Sequence, residues 1–357
     1  MAIRRVVFSL MCLCGSLGTA YAQALPAGPK VSITAITQPT PNLPQYTAVD
    51  IPLLRDGLKQ KSNGRIEVTL ATWPERNVSG PEVLRLVRSG QVEIATSPLT
   101  TVSGDVPLLD GADLAGMNLN AAQARKVAEA LVPAANKELE KLGIKIVATF
   151  PYTGQMFFCR KPVASLADIA GLKVRIPGPS AGDLVKALGG VPVSLAFGEV
   201  YTALERGTLD CALTGSGSAN AVKFTEVTTH MLNQPLFWAT SAYYVNLAWW
   251  NKLDPAVRGL MEKTFSEVAD QQWKLGADLT QDAVDCNAGR AALCKHHNLI
   301  AKRPLVEAKP AADLAAAVPK AVADNVLPGW IKRCGERCAQ VYGEALAPIT
   351  GVKYVAR

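Results

Sequence analysis

The sequence is poor in the residues and motifs on which much enzymatic and nucleic-acid chemistry depends. Its 357 residues include only three histidines, at positions 230, 296 and 297, which leaves few imidazoles for a metal centre or a catalytic base. It has no glycine-rich phosphate loop of either common type. Lys and Arg number 37 against 30 Asp and Glu, and they form no run with interleaved aromatics. Nucleotide and nucleic-acid partners are therefore disfavoured, and a weak attraction for small anions is left.

Long apolar runs are also missing, apart from one at the start of the chain. An Arg-Arg pair at residues 4–5 precedes an apolar run over residues 6–17, and Ala-Tyr-Ala follows at residues 20–22. This is the pattern of a signal peptide. The run is about 12 residues long, whereas a membrane-spanning helix needs roughly 20. We therefore expect residues 1–22 to be a signal peptide cleaved after Ala22, and the mature chain to be periplasmic.

Cysteine is present in an even number beyond the expected cleavage site. The six residues are Cys159, Cys211, Cys286, Cys294, Cys334 and Cys338. In an oxidising compartment such a count predicts disulfides. Two local pairs are expected, Cys286–Cys294 and Cys334–Cys338. Cys159 and Cys211 fall in neighbouring strand candidates, where they either pair or stay as buried thiols. A zinc site is a weaker alternative, because C-x7-C-x-H-H matches no common structural site.

Strand-like and helix-like segments alternate along the chain. Residues 31–36 and 65–70 predict strands on either side of a helix over residues 46–61. The alternation continues through the second half, and Asp254 with Pro255 predicts the start of a long helix. Such alternation predicts an α/β fold with largely parallel sheets.

The two alternating blocks predict two lobes with a cleft between them. We expect residues 30–151 and 240–280 to form lobe I, and residues 152–239 and 281–357 to form lobe II, each with its own sheet. The long helix should span both lobes.

Arg175 is the first candidate for a binding residue. It lies in a β-branched segment that ends at Pro177-Gly178, and ligands of open α/β sheets bind at the carboxyl ends of strands. A guanidinium there matches the planar geometry of a carboxylate. The alternative is a solvated arginine on an edge strand.

Ser180 is the second candidate, because Gly178-Pro-Ser-Ala-Gly182 has the form G-x-S-x-G of a hydrolase nucleophile. A secreted serine hydrolase is therefore the alternative function. We favour a helix-capping role for Ser180 instead, since a hydrolase also needs an acid and a histidine downstream.

Two longer segments resemble a known family. Residues 165–178 read SLADIAGLKVRIPG, and residues 187–210 read ALGGVPVSLAFGEVYTALERGTLD. Together and in this order they resemble the extracytoplasmic solute receptors (DctP family) of tripartite ATP-independent periplasmic (TRAP) transporters. The resemblance extends from Val31 to about Ala283. It implies a two-lobed periplasmic binding protein with a long helix across both lobes, no catalysis, no cofactor, and membrane permease subunits as partners.

The resemblance also implies roles for individual residues. The arginine that holds a ligand carboxylate in the family falls on Arg175, and the aromatic residue that packs on the ligand falls on Phe197. Thr214 stands where many relatives have Asn, and a second arginine has no counterpart near Gly154-Gln155. We expect Phe197, Thr214 and Trp238 to line the cleft with Arg175. From the other lobe, Ser97 and Thr100 should face them. The threonine favours a less hydroxylated, more apolar acid as the ligand.

Overall fold

The structure is a computed structural model that describes residues 25–296 and 299–354. The expected signal peptide at residues 1–22 and its cleavage site lie outside the described residues, as does His297. Within the two described ranges, no helix is both long enough and apolar enough to cross a membrane.

Strands and helices alternate along the described chain, which confirms the predicted α/β class. The strands are β1 (Val31–Ile36), β2 (Ile66–Ala71), β3 (Ile94–Pro98), β4 (Ile144–Cys159), β5 (Lys173–Ile176), β6 (Val191–Ser194), β7 (Cys211–Gly215), β8 (His230–Leu232), β9 (Phe237–Asn246) and β10 (Val306–Ala308). The α-helices are α1 (Leu58–Lys61), α2 (Val83–Arg88), α3 (Ala121–Leu139), α4 (Leu166–Ile169), α5 (Pro179–Ala187), α6 (Val200–Glu205), α7 (Ser216–Ala221), α8 (Leu247–Lys252), α9 (Pro255–Asn287), α10 (Ala312–Ala321), α11 (Leu327–Cys334), α12 (Glu336–Val341) and α13 (Ala347–Thr350). π-Helical segments cover Gln45–Gly57, Val322–Val326 and Tyr342–Leu346.

The strands lie in the order β2-β1-β3-β9-β4-β7-β5-β6, with β8 paired to β4 and β10 paired to β8. Parallel pairing joins β1 to β2 and β3 in the first half of the chain, and β5 to β6 and β7 in the second half. β9 pairs antiparallel with β3 and β4, and β4 pairs antiparallel with β7. The hydrogen-bonded path is therefore continuous, which corrects the expectation of two separate sheets. The reason is that β4 and β9 are each long enough to run through both parallel groups.

An irregularity marks the point where β4 and β9 pass from one parallel group to the other. Pro151 pairs with Thr240, and the next pair is Gly154 with Trp238, so β4 carries one residue more than β9 between these pairs. A bulge of this kind bends a strand and increases its twist. It coincides with the predicted crossing points, and residues 151 and 240 stay our predicted lobe boundaries.

Helix α9 spans both halves, as the sequence predicts. The Asp254 carboxylate accepts hydrogen bonds from the backbone N–H groups of Ala256 and Val257 and so caps its start. Met261 in its first half packs in an apolar cluster with residues of β1 and β9. Val284, near its end, packs in a second cluster with residues of β4, α6 and β7. The helix therefore connects the two cores.

The C-terminal helices do not belong to the second half alone, which corrects the expected boundary of 281–357. β10 does pair with β8 of that half. Further on, however, Arg337 forms an ion pair with Glu138 of α3, and the Ile349 carbonyl accepts a hydrogen bond from Gln123 (3.3 Å). Helical periodicity reveals that a segment has an apolar face, but it does not reveal which surface covers that face.

All three predicted disulfides are present, including Cys159–Cys211, which the sequence left open. Cys159 and Cys211 lie directly opposite each other on β4 and β7, so strand register brings them together. Cys286 is bonded to Cys294, which removes the thiolates that a zinc site would need.

We predict that the Cys159–Cys211 bond stabilises the protein more than the Cys334–Cys338 bond. The first closes a separation of 52 residues and the second a separation of 4. By restricting the entropy of the unfolded chain, the first bond should stabilise the folded protein by about 4 kcal/mol and the second by about 2 kcal/mol. Urea unfolding of the two double alanine variants should show this difference. Equal losses in the two variants would contradict it.

Candidate functional site

A cavity of about 390 Å³ lies where the two parallel groups meet, and its volume is within the range of small-molecule sites. Ile176 and Ser194 line it at the ends of β5 and β6, and Pro98 lines it at the end of β3. Tyr152 and Ala239 line it where β4 and β9 pass between the halves. The carboxyl ends of strands from both halves thus face one cavity, the usual place for ligands of α/β sheets.

Arg175 carries the only charged side chain among the described residues that line this cavity. The residue is only 6% exposed. Its Nε donates a hydrogen bond to the Leu195 carbonyl (3.1 Å), and its guanidinium carbon lies 5.8 Å from the centre of the Phe197 ring. No acidic side chain of residues 25–296 or 299–354 forms an ion pair with it. Burial lowers the pKa of Arg175 to about 10, so the group is still a cation at neutral pH.

Three other predicted residues also line the cavity. Phe197 follows the end of β6, Thr214 lies near the end of β7, and Thr100 follows β3 in the opposite half. An added Cβ on Gly178 would lie 1.9 Å from the Thr100 Oγ1 atom. The two halves therefore approach each other closely at the cavity, and only glycine fits at position 178.

Two predicted residues lie elsewhere, which corrects the expected lining. Trp238 neighbours Ala239 on β9, and alternate residues of a strand point to opposite faces. Ala239 faces the cavity, whereas Trp238 packs against Trp273 and Ala128 in a separate apolar cluster. Ser97 is fully buried, and its hydroxyl donates to the Gly80 carbonyl (3.1 Å). We withdraw both as ligand contacts.

Ser180 does not line the cavity, and no histidine of the described residues forms a hydrogen bond with it. Its hydroxyl donates to Asp110 Oδ1 (3.0 Å), and its backbone N–H donates to Asp110 Oδ2 (3.1 Å). Helix α5 is capped by Gly178 rather than by Ser180, so the predicted capping role is also corrected. Ser180 instead connects the second half of the chain to a buried carboxylate of the first.

Asp110 joins more than these two segments. Its Oδ1 atom also accepts a hydrogen bond from the Thr100 hydroxyl (2.6 Å), and Arg333 of α11 lies 3.4 Å from its Oδ2 atom. Burial raises the pKa of Asp110, and these donors oppose that rise. One carboxylate thus links Thr100 in the cavity wall, the start of α5 and a C-terminal helix.

Several lining residues were missed by the sequence analysis. Trp73 follows the end of β2, and its Nε1 donates to the Thr96 carbonyl (3.1 Å). Its place after a strand was a usable signal, because ligands of open α/β sheets bind at the carboxyl ends of strands. Tyr152 and Gln155 lie inside the long strand β4, and nothing in the local sequence shows that this strand passes beneath a cavity.

A buried polar network begins at Tyr152. Its hydroxyl donates to Gln38 Oε1 (3.0 Å), and Gln38 Nε2 donates to Asp50 Oδ2 (2.9 Å). The Tyr243 hydroxyl and Gln272 Nε2 of α9 donate to Asp50 Oδ1. Burial raises the pKa of Asp50 to about 6, although these hydrogen bonds act in the opposite direction. The network ties the cavity floor to the long helix.

Comparison with known proteins gives a family match over most of the chain. The model of the family described as "Bacterial extracellular solute-binding protein, family 7" (DctP) matches residues 36–289. The 2,3-diketo-L-gulonate-binding periplasmic protein of Escherichia coli (strain K12) is 26% identical over 239 residues, which are 64% of this chain and 71% of that protein.

Solved structures of similar fold agree with this match. An extracytoplasmic solute receptor of Bordetella pertussis that binds pyroglutamic acid is 21% identical, with a TM-score of 0.77 over 88% of this chain and 98% of the receptor. A TRAP periplasmic solute binding protein from Desulfovibrio salexigens with bound orotic acid is 20% identical, with a TM-score of 0.78 over 90% of this chain and 100% of that protein. The predicted two-lobed binding-protein fold is confirmed.

We predict that Asp110→Asn lowers the free energy of unfolding by about 2–3 kcal/mol. The variant loses charge-assisted hydrogen bonds, and its amide group places a donor beside the donors of Ser180 and Arg333. The matched control Ser180→Ala removes one hydroxyl from the same cluster and should cost about 1 kcal/mol. Urea unfolding at pH 8 measures both. A loss in Asp110→Asn no larger than in Ser180→Ala would contradict the linking role.

We predict a pH dependence of stability that comes from Asp50. Because its pKa is higher in the folded protein (about 6) than its ordinary value of 3.8, its contribution is full below pH 4 and declines as pH rises through 6, by about 1.4 kcal/mol per unit. The difference in unfolding free energy between wild type and Asp50→Asn should therefore shift by about 2.5 kcal/mol between pH 4 and pH 7, favouring wild type at pH 4. A difference that is constant with pH would refute this.

Proposed function

The chain belongs to the bacterial extracellular solute-binding proteins of family 7, and from that premise we propose that it binds a small organic acid through the carboxylate, with Arg175 as the residue that holds it. The family consists of solute-binding receptors rather than enzymes. A receptor captures and releases its ligand unchanged, so the cavity must supply affinity and closure but no reacting group.

One observation carries the proposal, namely a buried cation without a buried anion. Arg175 is enclosed by the cavity wall, uses its Nε on the Leu195 carbonyl, and forms no ion pair within the described residues. Transfer of a charge out of water is costly unless the charge is paired. A ligand carboxylate would accept two parallel hydrogen bonds from the remaining N–H groups and compensate that cost.

The other cavity residues support the same reading. Phe197 packs against the guanidinium, which holds Arg175 in place and leaves its outer N–H groups for the ligand. Thr100 and Thr214 enter the cavity from opposite halves, so a ligand would contact both. The relatives in the comparison bind 2,3-diketo-L-gulonate, pyroglutamic acid or orotic acid, and each of these compounds is an acid.

The cellular setting is part of the proposal. The family is extracytoplasmic, and we propose that residues 1–22 direct export and are removed after Ala22. The partners would be the membrane permease subunits of a TRAP transporter, which receive the ligand when the lobes open.

The serine hydrolase alternative is not supported. The family match is to receptors, and the Ser180 hydroxyl donates to Asp110, whose carboxylate is already held by Thr100 and Arg333. A nucleophilic serine needs a histidine base, and Ser180 has none in hydrogen-bond contact among the described residues.

We predict that Arg175→Ala weakens the binding of carboxylates by about 30-fold to several thousand-fold, since truncation of one partner of a desolvated charge pair costs about 2–5 kcal/mol. Arg175→Lys should restore only part of the affinity, because a point charge does not reproduce the planar fork. The measurement is calorimetry with the acid that gives the largest thermal shift among pyroglutamate, orotate, benzoate, succinate and gluconate. A ligand at 100 times its Kd should stabilise the protein by about 2.7 kcal/mol.

The matched control is Lys173→Ala, which removes an exposed positive charge from the same strand. It should leave binding unchanged, and circular dichroism should show that all variants are folded. If folded Arg175→Ala binds the same acid within threefold of wild type, Arg175 does not hold the carboxylate.

A further inference from the structure

The residues that line the cavity restrict which acids can bind, in addition to the requirement for one carboxylate. We infer that the ligand is a monocarboxylate whose body is a flat, largely apolar ring, rather than a dicarboxylate or a polyhydroxylated sugar acid. The inference rests on the proposed function, because it takes Arg175 as the carboxylate site and asks what the other walls accept.

The charge of the cavity sets the number of carboxylates. Arg175 is the only charged residue among the described residues that line it. A second carboxylate on the ligand would be enclosed with no cation to pair with, and an unpaired buried charge is strongly unfavourable. One carboxylate per ligand matches one guanidinium.

Aromatic residues face the cavity from opposite halves of the protein. Trp73 follows β2 and Phe197 follows β6. The indole Nε1 of Trp73 is already bonded to the Thr96 carbonyl (3.1 Å), so this residue offers the cavity only its ring. Phe197 is supported from behind by Phe224, with 6.4 Å between ring centres. Closure of the two halves would bring both aromatic rings onto a flat ligand.

Proline contributes much of the remaining wall. The lining prolines are Pro39, Pro81, Pro98, Pro177 and Pro179. Proline has no backbone N–H, so these positions offer apolar ring surface and no hydrogen-bond donor. An apolar ring loses nothing by contact with such a wall, whereas a ligand hydroxyl there would lose its water without a replacement.

Three of the seven hydroxyls that line the cavity already donate to the protein, and among the described residues those of Thr101, Ser194, Thr214 and Ser218 do not. The hydroxyls of Thr100, Ser103 and Tyr152 donate to Asp110 Oδ1 (2.6 Å), the Thr100 carbonyl (2.8 Å) and Gln38 Oε1 (3.0 Å) respectively. Their oxygens can still accept one or two ligand donors. A sugar acid carries four or more hydroxyls, and each one left unsatisfied costs about 1–3 kcal/mol.

The test compares acids that differ in one property at a time. Calorimetry on the wild-type protein would use benzoate and phenylacetate as flat ring acids, cyclohexanecarboxylate as a puckered ring of similar size, succinate as a dicarboxylate and gluconate as a sugar acid. We expect a flat ring acid to bind at least tenfold more tightly than succinate and gluconate, and also more tightly than cyclohexanecarboxylate.

Variants then test the aromatic walls. Phe197→Leu and Trp73→Leu should weaken benzoate or phenylacetate by about 2- to 12-fold, which is the loss of an aromatic contact worth about 0.5–1.5 kcal/mol. Cyclohexanecarboxylate should change less. Phe197 is only partly buried, so its variant tests the proposal even if Trp73→Leu does not fold. Trp249→Leu, which removes a tryptophan that does not line the cavity, is the matched control and should bind as wild type.

The outcomes separate this inference from the proposed function. If succinate or gluconate binds as tightly as the ring acids and Arg175→Ala abolishes that binding, the carboxylate site stands and the ring inference is wrong. If ring acids bind equally well to wild type and Arg175→Ala, the carboxylate proposal itself fails. If no acid binds, both fail.

Discussion

A buried guanidinium that has no carboxylate partner in the described part of the chain is the constraint around which the cavity is built. The fold tolerates Arg175 at 6% exposure because three weaker contacts share the cost of burial. Its Nε donates a hydrogen bond to the Leu195 carbonyl, its guanidinium lies near the Phe197 ring, and its backbone is part of strand β5. None of these contacts neutralises the charge. The charge of Arg175 is therefore unbalanced within the described residues, and under the proposed function a ligand anion would balance it.

The geometry around that charge depends on how the two halves are joined. β4 and β9 pass from one parallel group to the other, and α9 runs along both. Asp110 adds a polar link that bypasses these elements, since it binds Thr100 of one wall and Ser180 of α5. Helix α5 begins directly after the loop that follows Arg175. The Asp110 carboxylate, which lies outside the cavity, thus fixes the position of Thr100 on one side of the cavity relative to the start of α5 on the other.

Strand ends could be predicted from the sequence, and they provided most of the predicted residues that line the cavity. Arg175 lies in a strand whose β-branched residues are plain in the sequence, Thr214 lies near the end of a short, largely apolar strand, and Phe197 and Thr100 follow strands. The family resemblance pointed to the same arginine and phenylalanine. The two groups of parallel strands and helix α9 could also be predicted, because the local periodicity of apolar residues indicates each of these elements.

The wrong or missing predictions concern the orientation of side chains and contacts between residues that are far apart in sequence. Trp238 was predicted to line the cavity, but a shift of one residue along a strand changes the face on which a side chain lies. That alternation puts Ala239 at the cavity instead. Asp110 and Tyr152 were missed because their partners are 70 and 114 residues away in sequence, and no local pattern encodes such pairs. The C-terminal helices were assigned to one half for the same reason.

The distribution of polarity bears on how the proposed site could be both selective and reversible. Several polar groups around the cavity are bonded inward, from Tyr152 through Gln38 to Asp50 and from Thr100 to Asp110. Arg175 is the one charged group that lines the cavity among the described residues, and under the proposed function it would supply the strongest directional interaction with the ligand. The proline and aromatic parts of the wall would contribute affinity in proportion to area, without fixed geometry. Opening of the two halves would then readmit water to the charge pair, which would weaken it and release the ligand.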